Sequence, residues 1–377
     1  MSSKAIYDYI EDVLKDLINI NTTKFSNNET EAAKYLQEQC DLMGIECTLY
    51  EPFRGKGSLV ATIKGWDKDS IILYCHLDTE EFIDVDAWNF SPNQSTCYLN
   101  RIYGRGAIDC KGLAAVWMGV MKTIVQDGII PQKTIKLIAV SDEESGGEKG
   151  LGWLSDNTDH FKNIRLVLSE GGGFPLPTND TIYFTVQTGE RERIKIKKSD
   201  YNSNALDNIN KIVIDEGIEV KAFNQNTKDY LSYLISDNTS KKQRIDIKNF
   251  NNLIFDYQKE ATSIYQMPFV SINSMLTEDE IIEHVKTGPI KDLSGYLEII
   301  QTQLFKFNSK YRILPFVTPG FSDNRYFRLK GIDTIGFFPL DVNNGVSGIH
   351  GINEYITSDS IEFSYELLHQ IVKNIAF

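Results

Sequence analysis

Helical and strand-like hydrophobic patterns alternate along the first half of the chain. Ile6, Ile10, Val13, Leu14, Leu17 and Ile18 recur at helical spacing and predict an amphipathic N-terminal helix. A second helix is expected from about Glu29 to Met43, closed by Gly44. Strand-like runs follow at Ile45–Tyr50, Ser58–Ile63 and Ser70–Cys75. A helix from about Gly112 to Gln126 leads to an apolar strand, Thr134–Val140, and Arg165–Leu168 runs into the glycines Gly171–Gly173. Nearly continuous apolar strands between helices predict an α/β fold, a mixed sheet flanked by helices on both faces.

From about Glu190 to Gly288 the chain turns rich in Asn, Lys, Asp, Ser and Tyr. Arg193–Lys197, Arg244–Lys248 and Phe269–Met275 read as half-buried strands, and Ala205–Gly217 and Thr277–Lys286 as helices, which predicts an α+β insert with a one-sided sheet. The α/β style then resumes with a helix at Asp292–Phe305 and a strand at Asp333–Phe338. A last helix turns Ile361, Leu368, Ile371, Val372 and Ile375 inward. The expected division is one domain formed by residues 1–189 and 290–377, interrupted by a smaller one at 190–289.

Composition narrows the class. A chain of 377 residues, 41% hydrophobic and 24% charged, fits a folded protein of two domains and argues against disorder. No apolar run approaches the roughly 20 residues of a bilayer span. The opening MSSKAIYDYIEDVLKDLINI lacks the pattern of a signal peptide, so a cytoplasmic location is expected. Five scattered cysteines without a C-x-x-C pair suggest reduced thiols. A net charge of −13 repels a phosphate backbone and disfavours nucleic acid as a partner.

Candidate chemistry sits where strands stop. His76 and Asp78, two apart at the end of an apolar strand, share a face. Asp109 stands in a glycine-rich turn before a helix. Asp142, Glu143 and Glu144 end a second strand, Glu170 ends a third, and His350 lies in a glycine-flanked loop. Ligands of open α/β sheets bind outside the carboxyl ends of strands, so these groups are expected to share one crevice. Clustered carboxylates raise one another's pKa unless cations intervene. Two imidazoles with several carboxylates suit a pair of zinc ions, with cobalt or manganese as substitutes.

The ordered segments YCHLDT, YGRGAIDCKG, SDEESGG, LSEGGG and IHGINE resemble the dinuclear zinc family of acetylornithine deacetylase, succinyl-diaminopimelate desuccinylase, glutamate carboxypeptidase and aminoacylase. The resemblance covers about residues 1–190 and 290–377. It implies a zinc exopeptidase-like catalytic domain carrying an inserted α+β lid or dimerisation domain. It also implies two zinc ions per subunit: His76 and Glu170 on one, Glu144 and His350 on the other, Asp109 bridging both. Asp78 would orient His76, and Glu143 would be the general base. Adjacent glutamates at an extended strand end point in different directions, which fits Glu144 on metal and Glu143 on water. Cys110, beside Asp109, would pack nearby without ligating.

The implied reaction is hydrolysis of an amide in an N-acyl amino acid or in a short peptide with a free C-terminal carboxylate. Asp323-Asn324-Arg325 also resembles a family segment. Arg325 and Asn324 are candidate substrate-binding residues, with a structural salt bridge the equal alternative for Arg325. The insert departs from the family. Lys197–Ala205 stands where relatives carry a histidine, leaving Tyr201, Asn202 or Asn204 as donors, and a lid arginine is missing near Met267–Leu276. His284 is expected to face solvent from a helix. A homodimer and a monomer both remain open, as do a dipeptidase on the same scaffold and a metal-binding relative without catalysis.

Overall fold

The computed structural model describes residues 3–197, 254–257, 261–266, 281–318, 320–346 and 348–377. The expected elements at Ala205–Gly217, Arg244–Lys248 and Phe269–Met275 lie outside these residues, as do Tyr201, Asn202 and Asn204.

In chain order the first half comprises α1 (Ser3–Asn19), α2 (Glu29–Leu42), β1 (Glu46–Tyr50), β2 (Ser58–Ile63), β3 (Ser70–His76), β4 (Thr96–Tyr98), β5 (Arg101–Tyr103), α3 (Lys111–Asp127) and β6 (Thr134–Val140). Next come α4 (Trp153–Asn157), β7 (Ile164–Ser169), β8 (Pro175–Pro177) and β9 (Ile182–Glu190). A second group follows: β10 (Glu192–Lys197), β11 (Ile254–Tyr257), β12 (Ala261–Gln266) and β13 (Ile281–Val285). The chain closes with α5 (Ser294–Phe307), β14 (Tyr311–Thr318), α6 (Asn324–Leu329), β15 (Thr334–Gly336), β16 (Tyr355–Thr357) and α7 (Ser358–Ala376).

The main sheet runs β1-β2-β6-β3-β7-β15-β9-β14, with β8 beside β9. Its centre is parallel: β3 pairs β6 with His76 opposite Val140, and pairs β7 with Leu73 opposite Leu168. Three strands therefore end side by side, and the residues that follow them emerge together. All of β3 is buried. Its side chains alternate: Ile71, Leu73 and Cys75 join the core formed with α1, α3 and α7, while Ile72 and Tyr74 join a second core with Phe327, Leu151 and Leu154. Helices thus cover both faces, as the apolar runs predict.

Two polar contacts fasten α3 to this frame. Lys111, buried, donates from Nζ to the carbonyls of Leu17 (2.9 Å) and Ile20 (2.8 Å), satisfying the open end of α1. Trp117, fully buried, donates from Nε1 to the Tyr74 carbonyl at 2.9 Å, two residues before His76.

A separate antiparallel sheet, β11-β12-β10-β13, lies between β9 and α5 in sequence. Ile194, Ile196, Ile264 and Val285 are among its buried apolar residues. The helix expected over Thr277–Lys286 is corrected in its described part. Ile281–Val285 is a strand, held by pairing with β10 through Arg193↔Val285 and Lys195↔Glu283. A small third sheet, β16-β5-β4, supports the loop after Tyr103. Among the described residues no helix is long and apolar enough to cross a membrane.

Trp117→Ala removes a fully buried indole and orphans the Tyr74 carbonyl. We expect a loss of roughly 3–5 kcal/mol of unfolding free energy in urea denaturation.

Candidate metal centre

Each candidate side chain leaves a strand end or a braced loop. His76 is the last residue of β3. Glu143 and Glu144 occupy a short 3-10 turn, Glu143–Ser145, entered through Asp142 at φ +73°. This corrects the extended geometry expected for the two glutamates: the turn lets both carboxylates line one cavity. Gly147 (φ +72°) continues it, and a Cβ there would meet Asp323 Oδ1 at 1.7 Å. Glu170 follows β7. The loop carrying Asp109 is braced by Glu354, a buried carboxylate. It accepts from the amides of Gly106 (3.0 Å), Ile108 (2.9 Å) and Asp109 (3.1 Å) and pairs with Arg105 at 2.9 Å. Sequence reasoning assigned Glu354 no role, although it sits in the last motif.

The ligand candidates converge on Asp109. Its Oδ1 lies 3.0 Å from His76 Nε2 and its Oδ2 lies 2.9 Å from His350 Nε2. Glu170 Oε2 is 3.7 Å from His76 Nε2, and Glu144 Oε1 is 3.5 Å from His350 Nε2. Asp78 acts differently from expectation. The His76 Nδ1 partner at 3.0 Å is the Asp78 main-chain carbonyl, with the carboxylate at 3.7 Å. That carboxylate accepts from the amides of Glu143 (3.1 Å) and Glu144 (2.9 Å) and so fixes the turn.

Burial drives the electrostatics. It pushes Glu143 well above the usual carboxylate range, with Glu170 adding to the rise, and lifts Glu144 to about 7. Burial likewise lifts Asp323, whose Oδ2 accepts from the Tyr74 hydroxyl at 2.8 Å, to about 8. The hydrogen bond to Asp109 and the nearby Glu144 carboxylate raise His350 to about 10. Burial opposes protonation of His76, yet nearby Cys110, Glu170 and Asp109 hold its pKa well above the usual imidazole value.

This donor set fits a pair of divalent cations. Two ligand atoms about 2.05 Å from one tetrahedral zinc stand about 3.3 Å apart, within the spread of the separations above. Three groups of potential ligands cluster here: His76, Asp109 and Glu144; His76, Cys110 and Glu170; and Glu80, Glu144 and His350. Glu144 Oε1 is buried and accepts no hydrogen bond among the described residues. In the chain without cations, burial raises the Cys110 thiol far above its usual pKa.

The cavity in front of these groups, about 860 Å³, also touches Arg193, His284, Phe321 and Arg325. His284 is therefore corrected from solvent-facing to wall-lining, with its Nε2 3.0 Å from Glu192. Arg325 forms no ion pair among the described residues. It donates to the Gly146 carbonyl and the Tyr326 hydroxyl, both at 2.7 Å. Asn324 is corrected: it is fully buried, and its Nδ2 donates to Gln187 (2.7 Å) and to the Glu170 carbonyl (3.3 Å). It supports Glu170 from behind and does not line the cavity. Its neighbour Arg325, next along α6, takes the cavity side.

The profile of peptidase family M20/M25/M40 matches residues 72–374. This chain belongs to that family. A curated relative, an uncharacterized metallohydrolase of Methanocaldococcus jannaschii, is 30% identical over 189 residues. The match covers 45% of this chain and 46% of that one, so it spans about half of the relative's length. Aminoacylase-1 of Dictyostelium discoideum is 24% identical over 406 residues, 96% of each chain. The crystal structure of an M20 family metallo-carboxypeptidase from Sulfolobus solfataricus shares the fold, with a TM-score of 0.69 and 16% identity over 97% of this chain and 98% of that one. The mixed sheet described above is thus the M20 fold, and its strand ends supply the clustered acids.

The raised groups set a pH dependence for this M20 chain without cations. Glu144, Asp323 and His350 keep protons in the folded state that the unfolded chain releases at 4.5, 3.8 and 6.5. Their contribution is fully present below those values and is lost as pH rises through about 7, 8 and 10. With a chelator present, the unfolding free energy should fall from pH 5 to 8, by up to roughly 1.4 kcal/mol per pH unit for each proton retained on buried Glu144 or Asp323, and by less for half-exposed His350, where solvent screens the shift. Urea titrations across that range check the sign.

Proposed function

We propose that this chain is a metal-dependent amide hydrolase of the deacylase or carboxypeptidase type, acting on an N-acyl amino acid or a short peptide with a free C-terminal carboxylate. The observation that carries this reading is Asp109, which offers one carboxylate oxygen to the His76 side and the other to the His350 side. In this reading His76 and Glu170 hold one cation, Glu144 and His350 hold the other, and Asp109 spans both. Zinc is the metal the imidazole and carboxylate donors favour. Residues 190–289 act as a lid inserted into the catalytic domain.

Bound cations would polarise the amide carbonyl and bring an attacking water near neutrality in its ionisation. Glu143 takes the proton from that water. As the water oxygen bonds to the carbonyl carbon and the C–N bond breaks, Glu143 returns the proton to the leaving nitrogen. A carboxylic acid and an amine result. Glu143 suits both steps because it lines the cavity and its amide, donating to Asp78, keeps it in place. Arg325 holds the substrate carboxylate: it lines the cavity, and its buried Nε has no partner among the described residues.

Glu143→Ala should keep about the wild-type metal content, measured by atomic emission, while turnover of N-acetyl amino acids falls by roughly 10²–10⁴. Near-normal turnover would remove Glu143 from this role. Preference for an unblocked dipeptide over an N-acetyl amino acid would move the assignment to a dipeptidase.

A further inference from the structure

Glu80 has no role in the reading above, yet it stands on the wall of the cation site. Its backbone is held from both sides. Thr79 forms a parallel bridge with Thr23, donating its amide to the Thr22 carbonyl (3.0 Å) and accepting from the Lys24 amide (2.9 Å). Glu81 accepts from the Phe25 amide at 3.1 Å through Oε1, and its carbonyl accepts from Arg105 at 3.3 Å. The segment after Asp78 is therefore fixed against the one after α1, which sets Lys24 opposite Glu80. The Lys24 Nζ sits astride the Glu80 carboxylate, 2.7 Å from Oε1 and 2.6 Å from Oε2.

One Glu80 oxygen, a Glu144 oxygen and a His350 nitrogen all lie within 4.8 Å of one another. Glu144 Oε1 is buried and accepts no hydrogen bond among the described residues. Two ligands of one tetrahedral zinc stand about 3.3 Å apart, so closure onto a shared cation needs at most about 1.5 Å of movement. A carboxylate has about four lone-pair sites, enough to serve a cation and an ammonium together.

We propose that Glu80 is an additional carboxylate ligand of the cation at Glu144 and His350, and that Lys24 restrains it. The His350 side then has two terminal carboxylates, Glu80 and Glu144, where the His76 side has Glu170. Lys24 opposes the extra anion by competing with the cation for the Glu80 oxygens. The two cation positions are tuned apart by residues that touch neither His76 nor Glu170. The inference rests on the two-cation reading above.

The test is Zn²⁺ binding to the metal-free full-length protein, followed by competition with a chromophoric chelator. Wild-type protein should bind two ions. Glu80→Gln should weaken one of them by about tenfold or more and leave the other unchanged. Lys24→Gln should tighten the same ion several-fold, and the double variant should be as weak as Glu80→Gln. Lys24→Gln retains Glu80 and gives an independent reading if Glu80→Gln does not fold. Unchanged affinity in Glu80→Gln overturns the proposal. So does tightening by Lys24→Gln that persists in the double variant, because Lys24 would then act through its charge alone. Wild-type protein that binds no Zn²⁺ overturns the metal-centre reading as well, whereas two ions bound with the same affinities in wild type and Glu80→Gln overturn only the role of Glu80.

Discussion

The structure depends on one carboxylate being held between two imidazoles drawn from distant parts of the chain. Asp109 meets His76 across 33 residues of sequence and His350 across 241. Glu143, Glu144 and Glu170 are gathered around that contact, and like charges at such spacing repel strongly in a poorly hydrated site. The fold resists this by placing the acids on backbone that cannot retreat. Two buried carboxylates outside the ligand set act as staples. Glu354 gathers three amides of the Asp109 loop, and Asp78 gathers the two amides of the Glu143–Glu144 turn. In each, a buried anion is stabilised by main-chain donors, and in return it fixes the direction of a ligand.

Much of the catalytic half was legible in the sequence because its strands are buried on both faces. Such strands read as unbroken apolar runs, and Ser58–Ile63 and Thr134–Val140 fall where those runs predict. The ends of the runs then marked His76, Glu143 and Glu170. What was illegible depended on neighbours. β14 contains Pro315, which breaks a strand pattern, and it survives because it lies at the sheet's edge. Ile281–Val285 follows an acidic stretch that resembles a helix start, and only its pairing with β10 makes it a strand. Asn324 and Arg325 are adjacent in sequence, yet helix geometry sends one into the core and the other to the cavity. The orienting role at His76 was assigned to the Asp78 side chain, whereas its main-chain carbonyl is nearer.

The inserted sheet changes the character of the site it faces. The ligand candidates are acids and imidazoles, while Arg193 and Arg325 stand on the wall they share with Phe321. Both guanidiniums lie over the Phe321 ring, 4.9 Å away for Arg193 and 5.5 Å for Arg325. Arg193 is partly neutralised by Glu283 at 3.0 Å, but its Nε, like that of Arg325, has no partner among the described residues.

This polarity restricts how an amide substrate can lie. A carboxylate placed among Glu143, Glu144 and Glu170 would meet negative charge that two cations only partly offset, whereas beside Arg325 it meets a planar donor and an aromatic face. For the substrate class proposed above, the anionic end would be drawn to the arginine wall and the neutral amide to the acids, with the carbonyl facing Glu143. The same separation explains why a missing lid arginine need not leave the site without an anchor. Arg325 belongs to α6 of the main α/β frame, and Gly146 fixes it beside the turn that carries Glu143. In the proposed reaction, recognition and proton transfer would both be set by the main α/β frame, while the inserted sheet, through Arg193 and His284, completes the wall.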